Sequence, residues 1–187
     1  MVVDVETSGL NALEDSLIAI GALAVNDGQV DLADSFEVVL RQGAPSAGHN
    51  IEVHGIGGTE QMDGAEPRAA LEQFLEFIGD DPLVAFHARF DAMVLGRAVR
   101  RELRSRFSAH WLDLADVAPL AWPGRAAGGL DPWLQALDIP MAYRHRAIVD
   151  CLGTAQLFLA ILPEAPRLGA ATARSLLALS GGERWLG

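Results

Sequence analysis

Val2-Val3-Asp4-Val5-Glu6, near the start of this 187-residue chain, alternates valine with acid. Side chains point to opposite faces in turn along a strand, so Asp4 and Glu6 share one face, about 6–7 Å apart along the chain. Val3 and Val5 share the other. Acids in an otherwise apolar strand are costly unless water or a cation meets them. Two readings therefore stand: a strand-end pair facing solvent, or part of a cation site. The strand opens almost at the first residue, where a few residues usually come before one, so a trimmed N-terminus is expected.

Outward from this strand, Leu17 to Val25 and Val30 to Leu40 are rich in Val, Ile, Leu and Phe. They are joined by Asn26-Asp27-Gly28-Gln29, a hairpin signal because the left-handed turn residues suit the strand twist. Residues 41–58 carry Gly, Pro and Ser and read as a loop. A helix is expected from Pro67 to Ile78, with Leu71, Phe74, Leu75 and Ile78 on one face. A short strand, Leu83 to Phe86, then leads into a helix from about Arg89 to Phe107. Trp111 to Leu114 reads as another strand, and Asp131-Pro132 as the cap and first turn of a helix to Leu137. The last long helix runs from about Ala147 to Leu162, stopped by Pro163. The tail, Glu164 to Gly187, has the composition for one more helix before Gly181-Gly182. This order predicts an α/β fold with a mixed sheet flanked by helices. Residues 1–163 form the main domain and 164–187 a tail on it.

Two further acids stand on apolar stripes. Steps of three and four from Asp91 reach Val94, Leu95, Ala98 and Val99, so Asp91 heads the buried face of its helix. A first-turn carboxylate is also favoured by the helix dipole, which is the simpler explanation. Asp150 repeats the pattern, sharing its side with Ala147, Leu157 and Ile161. If the four acids converge, like charges 4 Å apart cost about 4 kcal/mol per pair at an effective dielectric near 20, so a cation must join them. Oxygen ligands without a Cys or His set suit Mg²⁺ or Mn²⁺ better than zinc. His145, five residues before Asp150, falls on the loop ahead of that helix. It is either a surface histidine or a base placed to take a proton from an attacking water.

Composition sets limits. The chain carries 25 acids against 14 arginines and no lysine, a formal charge of −11. Broad electrostatic binding of nucleic acid is disfavoured, because phosphates must be neutralised by cations. The charge is uneven: residues 1–81 hold 16 acids and 2 arginines, and residues 82–187 hold 9 acids and 12 arginines. A polyanion would meet the second half, or a metal. A lone cysteine, Cys151, rules out an internal disulfide and fits a cytoplasmic location. No apolar run of 18 residues and no leader-like segment is visible, so no membrane association is expected.

Three stretches together resemble the motifs of the DEDD-type 3′–5′ exonucleases, in the subtype whose last motif carries histidine. They are Val3 to Leu10 (VDVETSGL), His87 to Asp91 (HARFD) and His145 to Asp150 (HRAIVD). This superfamily includes the proofreading epsilon subunit of DNA polymerase III and ribonuclease T. The likeness extends over roughly residues 2–162 and includes Val53-His54-Gly55-Ile56. Each motif alone is weak; three in order are a strong signal. The resemblance implies a ribonuclease H-like, five-stranded mixed sheet. It implies two Mg²⁺ (or Mn²⁺) held by Asp4, Glu6, Asp91 and Asp150, with His145 as general base. It also implies Thr7 and the backbone after Glu6 near the terminal nucleotide, Leu10 as a stacking contact for its base, and His87 as a further substrate contact. The substrate would be the single-stranded 3′ end of DNA or RNA. One departure stands out. The second motif usually opens with His-Asn, where this chain has Phe86-His87, so His87 either replaces the asparagine's polar contact or is structural.

Other features have competing readings. Arg97, Arg100, Arg101, Arg104 and Arg106 form either a phosphate track or a solvated helix face. Arg144 and Arg146 flank His145 and suit a scissile strand better. Cys151 reads as a small buried hydrophobe. Besides the exonuclease, two alternatives remain: a non-cleaving module that binds a nucleic-acid end or a polymerase, and a phosphodiesterase for small nucleotides or short oligomers. Oligomeric state is open, with the apolar tail as a candidate homodimer interface.

Overall fold

A computed structural model describes residues 1–125, 128–141 and 146–180. Strands β1 (Val2–Thr7), β2 (Leu17–Asn26) and β3 (Gln29–Val39) come first. Helices α1 (Gly48–His54), α2 (Gly58–Met62) and α3 (Pro67–Ile78) follow. Then come β4 (Leu83–Ala85), α4 (Ala88–Leu103), β5 (Trp111–Asp113), α5 (Leu114–Ala121) and α6 (Leu130–Ala136). Helix α7 (Ala147–Ile161) runs on into a 3₁₀ segment (Leu162–Leu168), and α8 (Ala173–Leu179) ends the described chain.

The strands form one five-stranded sheet in the order β3-β2-β1-β4-β5. β1 and β2, and β2 and β3, pair antiparallel, whereas β4 runs parallel to both β1 and β5. The β2–β3 turn closes between Asn26 and Gln29, with Asp27 and Gly28 both left-handed, as the hairpin reading requires. On β1 the alternation divides the core. Val3 and Val5 pack with α3 and α4, while Val2 packs with α5, α6, α7 and the tail. Asp4 and Glu6 follow Val2 in the alternation and so face the α7 side. Ala165, Ala170 and Leu176, beyond residue 163, are buried in that same second cluster.

Several boundaries differ from the sequence reading. Residues 41–58 contain α1 and the start of α2. α1 has no side-chain cap, which removes the usual start signal, and it stops at Gly55 in the left-handed region. α4 ends at Leu103, short of Phe107, because Arg104 turns left-handed at φ 56°. α5 was not anticipated, since Pro119 lies inside it, and its cap is Asp113. α6 starts after Gly129, so Asp131 sits in its first turn and not at the cap. The helical run Ala147–Leu168 has the length and hydropathy of a membrane span although it holds no unbroken apolar run of 18 residues. In this fold it packs against β1, β2 and β3 as a core helix.

Phe74 joins α3 to the sheet and to the chain after α4. It is fully buried, with the Phe36 and Phe107 rings centred 6.1 and 6.4 Å away. Replacing it with alanine is expected to destabilise the fold by about 3–5 kcal/mol, read as a lower urea midpoint with an unchanged slope.

Candidate active site

The acids on β1 and α7 meet. Ligand oxygens of Asp4, Glu6 and Asp150 lie within 4.8 Å of one another, with Asp150 buried and the other two half-buried. Asp150 occupies the first turn of α7 and Asp91 the first turn of α4, where the helix dipole offsets part of each charge.

Asp91 stands beside this triad and not within it. β1 and β4 pair at Val2 and Val84, and α4, which carries Asp91, follows β4 directly. Asp91 is 4% exposed. Burial holds its carboxyl well above the usual carboxylate range, and Asp113 and Glu6 add to this. Hydrogen bonds from its own N–H and that of Val5 pull the other way. Among the described residues the acids gathered here offer carboxylate oxygens, which fit Mg²⁺ or Mn²⁺.

Gly21 makes the meeting of strand and helix possible. It lies opposite Asp4 in the β1–β2 ladder. A Cβ there would stand 2.5 Å from the Ala147 carbonyl carbon and 2.6 Å from the Ile148 nitrogen, both backbone atoms that cannot swing aside. The start of α7 thus rests directly on the strand beside Asp4. The sequence signal existed, since glycine inside an apolar strand often marks a close backbone approach.

The loop after β1 is built from within. The Thr7 hydroxyl donates to the Gly9 carbonyl. The Asp15 carboxylate accepts from the Ser8 hydroxyl at 3.1 Å and the Asn11 N–H at 2.7 Å. Two outside donors hold it: Asn50 of α1 to the Ser8 carbonyl, and Arg97 of α4 to the Asp15 carbonyl. Arg97 is therefore a structural tie on this loop. Leu10 stands 94% exposed on this loop. Its neighbour α1 is fixed by His54, whose Nδ1 accepts from the Ile56 N–H at 3.0 Å and whose Nε2 lies 3.3 Å from the Ser46 hydroxyl. Burial lowers the His54 pKa, opposed by Glu60.

On the other side, Ala12, His87, Arg89, Phe90, Met93 and Asp113 line an open cleft of about 330 Å³. His87 is exposed and left-handed at φ 67°, and its N–H donates to Asp113. Asp113 was missed in the sequence. Its signal was an acid at a strand end, directly ahead of a helical run. Arg146 is 3.4 Å from both Glu37 and Glu60, so it ties the start of α7 to β3 and α2 where a role on the scissile strand was expected. Cys151 is fully buried, and burial raises its thiol well above the usual value. His145 and Arg144 lie outside the described residues.

A family model described as exonuclease (RNase_T) matches residues 1–158. The chain belongs to this exonuclease family. The DEDD-type resemblance read from the three motifs stands with it. This exonuclease domain is 32% identical over 170 residues to the PolC-type DNA polymerase III of Bacillus subtilis, and 29% over 164 residues to that of Bacillus cereus. These matches cover 90% and 88% of the chain but only 12% and 11% of the polymerases. In fold it resembles exonuclease X in complex with 5′ overhanging duplex DNA, at TM-score 0.70 and 22% identity, over 96% of this chain and 98% of that one. It also resembles Escherichia coli exonuclease I in complex with a dT13 oligonucleotide, at TM-score 0.73 and 18% identity, over 95% and 45% of the respective chains.

Two outcomes follow from this geometry. A carboxyl whose pKa is raised by folding contributes its stability fully below the unfolded value, about 3.9, and loses it as pH rises through the folded value. Chelator-treated protein is therefore expected to melt lower as pH rises above about 4. Asp91→Asn should flatten that fall and melt higher than the parent near neutrality. Gly21→Ala should lower kcat more than KM and weaken Mn²⁺ binding in calorimetry, by on the order of a hundredfold in rate for a shift of about 1 Å.

Proposed function

We propose that this chain is a divalent-metal-dependent 3′–5′ exonuclease that releases nucleoside 5′-monophosphates from the 3′ end of single-stranded DNA. The observation that carries this reading is the approach of Asp4, Glu6 and Asp150 to within 4.8 Å, an acidic arrangement that a divalent cation would stabilise. Asp91, buried alongside, supplies the fourth carboxylate. Together they would hold two Mg²⁺ or Mn²⁺ ions, which lower the pKa of a bound water and stabilise the leaving 3′ oxygen.

The chain's own groups would do the rest. His145 would take the proton of the attacking water. The loop of Thr7 and Leu10, held by Asn50 and Arg97, would seat the terminal nucleotide, with the exposed Leu10 side chain against its base. His87, on the wall of the adjoining cleft, would meet the strand further along. DNA is favoured over RNA by the relatives' names, which are those of DNA polymerases. The same relatives support work beside a polymerase.

Matched DNA and RNA strands, labelled at either end and incubated with Mg²⁺ or Mn²⁺, test the reading. The 3′ label should leave first as a mononucleotide, faster from DNA, while 5′-labelled strands shorten stepwise. Asp4→Ala and Asp150→Ala should each lose about a thousandfold or more in kcat, several kcal/mol of transition-state stabilisation. Metal-independent binding without release would instead identify a non-cleaving module. Preference for dinucleotides would identify a small-substrate phosphodiesterase.

A further inference from the structure

We infer that Asp113 is a positioning residue whose carboxylate oxygen sets the start of α4, and through it the placement of Asp91. This rests on the reading of Asp91 as a metal-holding acid. β4 and β5 run parallel with Ala85 opposite Asp113, so Asp113 ends its strand beside the point where the chain leaves β4 for α4. The chain leaves through His87, at φ 67° and ψ 45°, a conformation that side-chain-bearing residues seldom adopt. α4 has no side-chain cap of its own. What meets the His87 N–H is Asp113 Oδ1, at 2.9 Å. The same oxygen accepts the Ala115 N–H at 3.0 Å, where it caps α5.

One oxygen thus joins the beginnings of the two helices that follow neighbouring parallel strands. Four residues after His87, Asp91 points inward from the first turn of α4, and Ala88 between them is fully buried. Rotation about His87 would swing Asp91 relative to Glu6. The part played by Asp113 here is geometric, through the two N–H bonds that it accepts. Its useful property is the acceptor oxygen, which an amide also has.

The test is steady-state kinetics on a 3′-labelled single strand, with Mn²⁺ calorimetry and thermal melting. The variants are Asp113→Asn, Asp113→Ala, His87→Gly and the double variant Asp113→Ala/His87→Gly. Asp113→Asn should keep kcat and Mn²⁺ affinity within about threefold of the parent, because both N–H bonds persist. Asp113→Ala should lose between about tenfold and a hundredfold in kcat with little change in KM, and bind Mn²⁺ more weakly. Glycine adopts the left-handed conformation freely. The loss caused by Asp113→Ala should therefore be smaller against a His87→Gly background than against the parent.

Equal loss in Asp113→Asn and Asp113→Ala would overturn the proposal in favour of a role for the charge. Full activity in Asp113→Ala would overturn it outright. A parent that releases no mononucleotide would instead defeat the exonuclease reading, and the Mn²⁺ titrations would still report whether Asp113 governs the metal-holding acids.

Discussion

Mutual repulsion among carboxylates is the constraint that this architecture has to master. Asp4 and Glu6 come from a strand, Asp150 from the head of α7 and Asp91 from the head of α4, and none would choose the others' company in the absence of a cation. The fold holds them there with a core on each side of the sheet. Hydrophobic burial over those two faces provides the favourable free energy against which such a site can be maintained. Two helix N-termini aimed at the region reduce the cost without removing it.

The surrounding polar network has a consistent purpose. Asn50, Arg97, Asp113 and Arg146 each join segments far apart in sequence, and each tie lies next to a residue of the three motifs. The ties bring these segments together while the rim, including Leu10 and His87, is exposed.

Much of this was legible in the amino-acid order. Alternation in residues 2–6 told which face the first two acids occupy, and helical periodicity turned Asp91 and Asp150 inward. The hairpin at Asp27-Gly28 and the span of α3 followed from local turn and cap chemistry. Features set by tertiary contact were less visible. α1 lacks a side-chain cap and α5 contains a proline, so their helicity depends on neighbours more than on local signals. Arg97 read as a phosphate contact or a solvated cation, and Arg146 as a contact for the scissile strand, because their carbonyl and carboxylate partners lie 82 and 109 residues away. His145 falls outside the described residues, and its assignment as the base remains with the motif.

Gly21 has a consequence for how this lineage can vary. Its aliphatic neighbours on β2, Ile18, Ile20 and Leu23, sit in cores that accept exchanges of similar volume when surroundings repack. At Gly21 not even one added carbon fits, because the obstacle is main chain. Drift along β2 is therefore uneven: three positions with many neutral neighbours in sequence space, and one with none.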